Sequence, residues 1–425
     1  MATEDARYRE SSQFKQWSFS HSQLAALRED TNAKAVSSIS ERLSERLVSG
    51  TGAPSGATSL PPSNNASNAN TPDPEGSSPS LPEFLTAAEE STLVTFYVSE
   101  LLRAGDHAEF SDEIKATAAV LFRRFYITNS IMTYPPQEML IVALFFGCKA
   151  EGAFPRISDF LKTFQREHPE EILAGEFLLF RGVRFSIDVK HPFRALRGAA
   201  MELRSLGDID SKRIDDAERR ARQILRFSPL MTDAYFHYTP SQIMMAALSL
   251  ADRGLAERLI QATFHYVQPQ TESEANTPAA SGTSGGDGQR SKPPTEDQAT
   301  IVGSYIRDRV LGTVEACRDL LHKELPERRE HWADRKMYKA HILPLRKKLN
   351  KCHDPDRWNL VELQRQTREQ AAKKADSDDE GAGGGGRKSV DDDAAVFGGD
   401  LSGPAATKRR KVGQVKLEDP FGGAL

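Results

Sequence analysis

The chain has 425 residues, enough for two or three domains at about 150 residues each, yet only 38% are apolar against the ~45–50% usual in compact domains. A formal net charge of −4 excludes the global basic field that holds nucleic acid by counterion release. Three widely spaced cysteines, Cys148, Cys317 and Cys352, form no CxxC pair, so a disulfide framework is excluded and reduced thiols inside a cell are expected.

In chain order, residues 1–48 form an arm whose first residues, Met1–Ser12, are too polar for a secretory signal. Ser20 and Gln23 make a capping box that opens a short helix through Leu24 and Leu27. Residues 49–81 are Ser, Gly, Pro, Asn and Thr and are expected to be a disordered linker. A first helical repeat spans 82–186. Thr86 and Glu89 cap a helix carrying Leu93, Phe96, Tyr97 and Leu101 at helical spacing. Ser111, with Asp112 and Glu113 behind it, opens a second helix with the stripe Ile114, Ala118, Leu121, Phe122 and Phe125. Pro136 then opens Met139–Cys148, apolar on every side, which belongs in the middle of a bundle. That run is about half the ~20 residues of a membrane span, so no membrane association is expected. Further helices fall near 157–166 and 170–181.

The pattern then recurs across 187–322. Tyr134, Pro136, Ala143 and Leu144 return as Tyr238, Pro240, Ala247 and Leu248, each 104 residues later (240 − 136 = 104). Thr239-Pro240-Ser241-Gln242 again supplies an N-cap, a first-turn proline and a capping glutamine. An internal duplication follows: an all-α chain of two tandem five-helix bundles, each around one buried helix. Residues 268–300 are expected to be a disordered insertion in the second bundle. A C-terminal helical segment occupies 323–369, where Pro344 breaks the pattern of Arg335–Cys352. The tail 370–425, with acidic Asp376–Glu380 and the glycines Gly383–Gly386, is expected to be disordered.

No catalytic constellation emerges. Gly381–Ser389 has Arg387 where a phosphate-binding loop needs glycine, and no strand precedes it. There is no HExxH, no Gly-x-Ser-x-Gly, and Cys352-His353 lacks a second pair at ligand spacing, so neither metal nor cofactor is expected. Lys408, Arg409, Arg410 and Lys411 form a compact basic cluster suited to nuclear import. Ser377, among acidic neighbours, is a candidate phosphosite.

Particular stretches add a family resemblance. Leu121–Tyr126, Tyr134-Pro135-Pro136, Gly147–Glu151 and Glu176–Leu179 resemble the box of the cyclin family. Thr232–Tyr235, Tyr238–Ile243 and Ser11–Phe19 are similar to its cyclin H branch. The resemblance covers roughly 11–48, 82–267 and 301–353. It implies the cyclin fold and a non-enzymatic, nuclear regulatory subunit of a cyclin-dependent kinase. That kinase would be the CDK-activating kinase of TFIIH, acting on other such kinases and on the RNA polymerase II C-terminal domain. A RING-type assembly factor and other TFIIH subunits are implied partners, with no direct nucleic-acid contact. It also implies that Lys149 and Glu176 centre the kinase-docking face, with Met139, Leu144 and Phe146 as the core that fixes it. The first helix lacks the family's Met-Arg-x-Ile-Leu substrate patch, and the arm lacks Arg-x-x-Leu; both absences favour a transcription-type member. C-like and elongation-type cyclins remain neighbouring readings, as does a TFIIB-like promoter-binding factor with the same fold.

Overall fold

Each element of the fold begins where a cap and an apolar stripe coincide. The computed structural model describes residues 4–48, 81–265 and 296–379, and every regular element among them is a helix. The arm carries α1 (Glu4–Glu10), α2 (Ser12–Trp17) and α3 (His21–Val48). The first bundle is α4 (Ala87–His107), α5 (Asp112–Thr128), α6 (Pro136–Ala150), α7 (Ile157–Thr163) and α8 (Pro169–Gly182). The second is α9 (Phe193–Ser205), α10 (Ser211–Leu225), two single turns α11 (Ser228–Met231) and α12 (Ala234–His237), then α13 (Pro240–Ala251), α14 (Arg253–His265) and α15 (Glu296–His322). Beyond it lie α16 (Arg329–Ala333), α17 (Arg335–Met337), α18 (Leu343–Cys352) and α19 (Leu360–Asp379). The described residues up to Thr367 form one unit.

The expected caps form. Thr86 and Glu89 exchange side chain and backbone at the start of α4, and Thr239 and Gln242 do so at α13. Ser111 Oγ accepts from Ile114 N at α5. Helix α6 packs among α4, α5 and α8, and α13 among α9, α10, α14 and α15. Two buried central helices, each begun by proline, are the duplication in physical form. Met139 and Leu144 are fully buried and Phe146 nearly so. Removing side chains of this size from water contributes about 1.5–3 kcal/mol each.

Four boundaries differ from the sequence reading. Helix α3 is not short but runs 28 residues to Val48. Its polar middle is held by tertiary bonds: Thr31 Oγ1 donates to Ile127 O (2.8 Å) and Asn32 Nδ2 to Leu85 O (2.8 Å). Helix α15 already starts at Glu296, inside the expected insertion, and α19 continues past 370 to Asp379. Pro344 does not break its segment. A π-helical turn, Tyr338–Ile342, joins α17 to α18 and places the proline in the first turn of α18, where its missing N–H costs nothing. The linker, the glycine run and the basic cluster Lys408–Lys411 lie outside the described residues.

The arm clasps the junction between the bundles. Trp17 is fully buried, its ring flanked by the guanidinium groups of Arg124 (5.4 Å) and Arg184 (5.2 Å). Gln13 Oε1 accepts from Lys190 N at 2.7 Å, and Phe19 N donates to Phe236 O at 2.8 Å. Asp233 then receives Arg28 from α3 (2.6 and 2.9 Å) and Arg123 from α5 (2.6 Å). Burial alone would raise the Asp233 carboxyl, but the two arginines outweigh it and hold it well below the usual carboxylate range.

Candidate functional site

The site is built by the end of α6 and the outer face of α8. Helix α6 delivers Lys149 in its last turn, where the helix dipole favours a cation. The chain then turns sharply. Gly152 takes φ +76°, its N–H bonding Lys149 O (3.1 Å), while Ala153 N reaches Cys148 O (2.8 Å). Helix α8 buries Ile172, Ala174, Gly175 and Leu179 against the bundle. A Cβ on Gly175 would meet Val142 Cγ2 at 2.5 Å, so glycine sets how closely α8 approaches α6.

That approach brings Lys149 and Glu176 together, Nζ to Oε1, at 2.5 Å. The ammonium also sits 4.6 Å from the centroid of the Phe145 ring, a cation–π contact that fixes its direction. The two side chains keep 35% and 21% of their surface, so both ends of the pair remain reachable. Large apolar side chains are exposed on the same elements. Leu173 and Phe177, at helical spacing with Glu176 on α8, are 44% and 52% exposed, and Phe154 beyond the turn is 77% exposed. Phe185, with φ +58°, is 60% exposed and leans on Phe180 (4.7 Å). Several large apolar side chains exposed on the elements that carry a charged pair mark an interaction surface rather than a catalytic one.

Behind the turn, Glu151 anchors a relay into the second bundle. Thr117 Oγ1 donates to Glu151 Oε1 (2.5 Å) and lies 2.7 Å from His191 Nε2. Since that hydroxyl proton is already given to Glu151, His191 Nε2–H donates to Thr117, and Nδ1 accepts from the Tyr235 hydroxyl at 2.9 Å. Burial, helped by Arg124, pushes His191 down to about 3, so the ring is neutral. Covalent chemistry has no foothold among the cysteines: all three are buried, and burial pushes the Cys148 thiol up to about 11 and Cys317 to about 12. Among the described residues no group of three or more His, Cys, Asp or Glu could hold a metal ion.

Two family comparisons match in tandem, "Cyclin, N-terminal domain" over residues 80–188 and "Cyclin C-terminal domain" over 191–322. One chain of the solved CAK complex from Chaetomium thermophilum bound to ATP-gamma-S is 62% identical with a TM-score of 0.70, covering 87% of this chain and 96% of that one. The chain belongs to the cyclin family. Among curated cyclins, Cyclin CCL1 of Saccharomyces cerevisiae is 29% identical over 273 residues, 64% of this chain and 64% of that protein's length. A putative cyclin-H of Dictyostelium discoideum is 25% identical over 250 residues, 57% of this cyclin and 75% of the relative.

Of the residues singled out in the sequence, Lys149 and Glu176 meet. Met139, Leu144 and Phe146 are buried in α6, Leu144 toward Gly105 on α4 and Phe146 with its ring 5.7 Å from Phe180 on α8. Ser377 falls in the last turns of α19, with its side chain outside the described residues, as are Lys408–Lys411 altogether. The apolar rim of Phe154, Leu173 and Phe177 was not singled out. Its one legible signal was a phenylalanine between Gly152 and Pro155, in a turn too tight to bury it.

Proposed function

We propose that this cyclin is the regulatory subunit of a cyclin-dependent protein kinase, specifically the CDK-activating kinase of TFIIH. The Lys149–Glu176 pair, set in the apolar rim of α8, carries this reading: a rigid, charge-centred face with no chemistry of its own. The similarity to a chain of a CAK complex supports the choice of partner. A kinase of this class alone holds its C-helix away from the ATP site, separating the helix glutamate from the ATP-binding lysine. A preformed face that binds only the inward helix shifts the kinase population toward it. Helix α6 makes the face rigid, and the apolar rim supplies affinity while the ion pair fixes register. The substrates are other cyclin-dependent kinases and the RNA polymerase II C-terminal domain. A RING-type assembly factor and further TFIIH subunits complete the complex, and Lys408–Lys411 direct it to the nucleus.

Native co-purification of the tagged chain with mass spectrometry tests this. Recovery of a cyclin-dependent kinase with TFIIH subunits is expected. A different transcriptional kinase would remove the TFIIH assignment, and polymerase and promoter DNA without any kinase would overturn the function.

A further inference from the structure

A second surface lies away from the docking face, on the segment that the π-helical turn makes continuous. From Arg335 to His353 the sequence holds Arg335, Lys336, Lys339, Arg346, Lys347, Lys348 and Lys351 and not one aspartate or glutamate. One of these cations, Lys348, ties the segment to the protein through Glu83 (2.7 Å) and Glu89 (2.9 Å), while Arg346 donates to the Tyr338 hydroxyl (2.7 Å) within the segment. Met337, Ile342, Leu349 and Cys352 are buried beneath it. The other five cations are exposed, and none makes an ion pair or side-chain hydrogen bond among the described residues.

Helix α10 shows what an ordinary basic face looks like in this same protein. Its Arg213, Arg219 and Arg220, and Arg226 just past its end, each meet a carboxylate, those of Asp252 (2.6 Å), Asp216 (2.9 Å), Glu327 (2.5 Å) and Asp112 (2.6 Å). On α17 and α18 the opposite holds. Arg335 and Lys339, and Lys347 and Lys351, are like charges four apart, which destabilise a helix, and no acid relieves them. Lys336 and Lys339 stand three apart and Lys347 and Lys351 four apart, on either side of the π-helical turn, and all four are exposed. From Lys336 to Lys351 the segment rises about 22 Å at about 1.5 Å per residue, the span of an extended peptide of about seven residues.

We infer that this row is a docking rail for an extended peptide carrying several phosphorylated serines or threonines. Lysine ammonium groups are compact point charges suited to phosphate, and each phosphate brings about −1.5 to −2 charges. Other polyanions fit less well. A single strand of nucleic acid needs aromatic platforms, but Trp332 donates to Glu324 (2.9 Å) and Tyr338 is held by Arg346, and both are half-buried. A membrane surface needs exposed apolar anchors, and no large apolar side chain is exposed along this segment. The rail rests on the proposed function only for the origin of the peptide: a kinase held by the cyclin would make such a product beside it, and the rail would keep it for the next transfer.

The test is fluorescence anisotropy of the full-length protein with a labelled multiply phosphorylated serine peptide, the same peptide without phosphate, and a single-stranded oligonucleotide of equal charge. Lys336→Glu with Lys339→Glu, and separately the milder Lys347→Ala with Lys351→Ala, are compared with the natural sequence. The phosphopeptide is expected to bind in a salt-dependent way, its unphosphorylated form not to bind, and the reversal variant to lose about tenfold or more in affinity. Unchanged affinity in both variants, or tighter binding of the oligonucleotide, would overturn the rail. Kinase capture by the same variants separates the two readings, because an intact kinase complex without phosphopeptide binding removes only the rail.

Discussion

Lys149 stands where three constraints meet: the negative end of α6, the face of the Phe145 ring and the Glu176 carboxylate. Its position is therefore set from behind by α6 and the buried Phe145 as well as by the part-exposed Glu176. Phe146 is nearly buried and fills the space between α6 and Phe180. Phe146→Ala is expected to cost about 3–5 kcal/mol in a chemical denaturation curve. Asp233 plays the corresponding part at the bundle junction. Asp233→Asn leaves Arg123, which is almost wholly buried, without its counter-charge, and should destabilise the protein by about 3–5 kcal/mol. A loss under about 1 kcal/mol in the same assay would show the cluster to be solvated instead.

At the scale of elements, the helices with a capping box and a clean stripe were legible in the sequence, and α4, α5, α6 and α13 start at the expected residues. The length of α3 was not, because its serine-rich second half has no local reason to stay helical. What holds it is distant: Arg42 and Arg46 find Asp354 and Asp356 far along the chain, and Ile39 is fully buried. The Lys149–Glu176 pair was legible only through family resemblance, as a lysine ending one helix and a glutamate inside another carry no local mark. The apolar rim stayed hidden for a related reason: Leu173 and Phe177 look like core until the packing of α8 shows which face is turned inward. Gly175 decides that packing. Gly175→Ala would gain about 1 kcal/mol of helix propensity yet overpack against Val142 at a cost of about 1–3 kcal/mol. Lower stability together with weaker kinase binding is expected, because α8 must move away from α6; unchanged binding would show that the face tolerates the shift.

Across the whole molecule, the two bundles are joined through buried polar groups, and these make the fold sensitive to acid. His191 titrates near 3 when folded and near 6.5 when exposed. The unfolded chain therefore takes up the proton first. Stability is fully present above about pH 6.5 and is lost as pH falls toward 3, by at most about 1.4 kcal/mol per pH unit. Denaturant titrations at neutral and mildly acidic pH should show this slope, and His191→Gln should flatten it; an equal slope in the variant would assign the effect to other groups.

In the proposed function, a charged pair on a rigid apolar face docks a kinase. Calorimetric titration of the co-purified cyclin-dependent kinase with the natural cyclin and its Lys149→Ala variant tests it most directly. The variant is expected to melt at the natural temperature and to bind the kinase more weakly by about 2–5 kcal/mol, because Glu176 is left in the interface without its partner. Equal affinity with an intact fold would contradict the account.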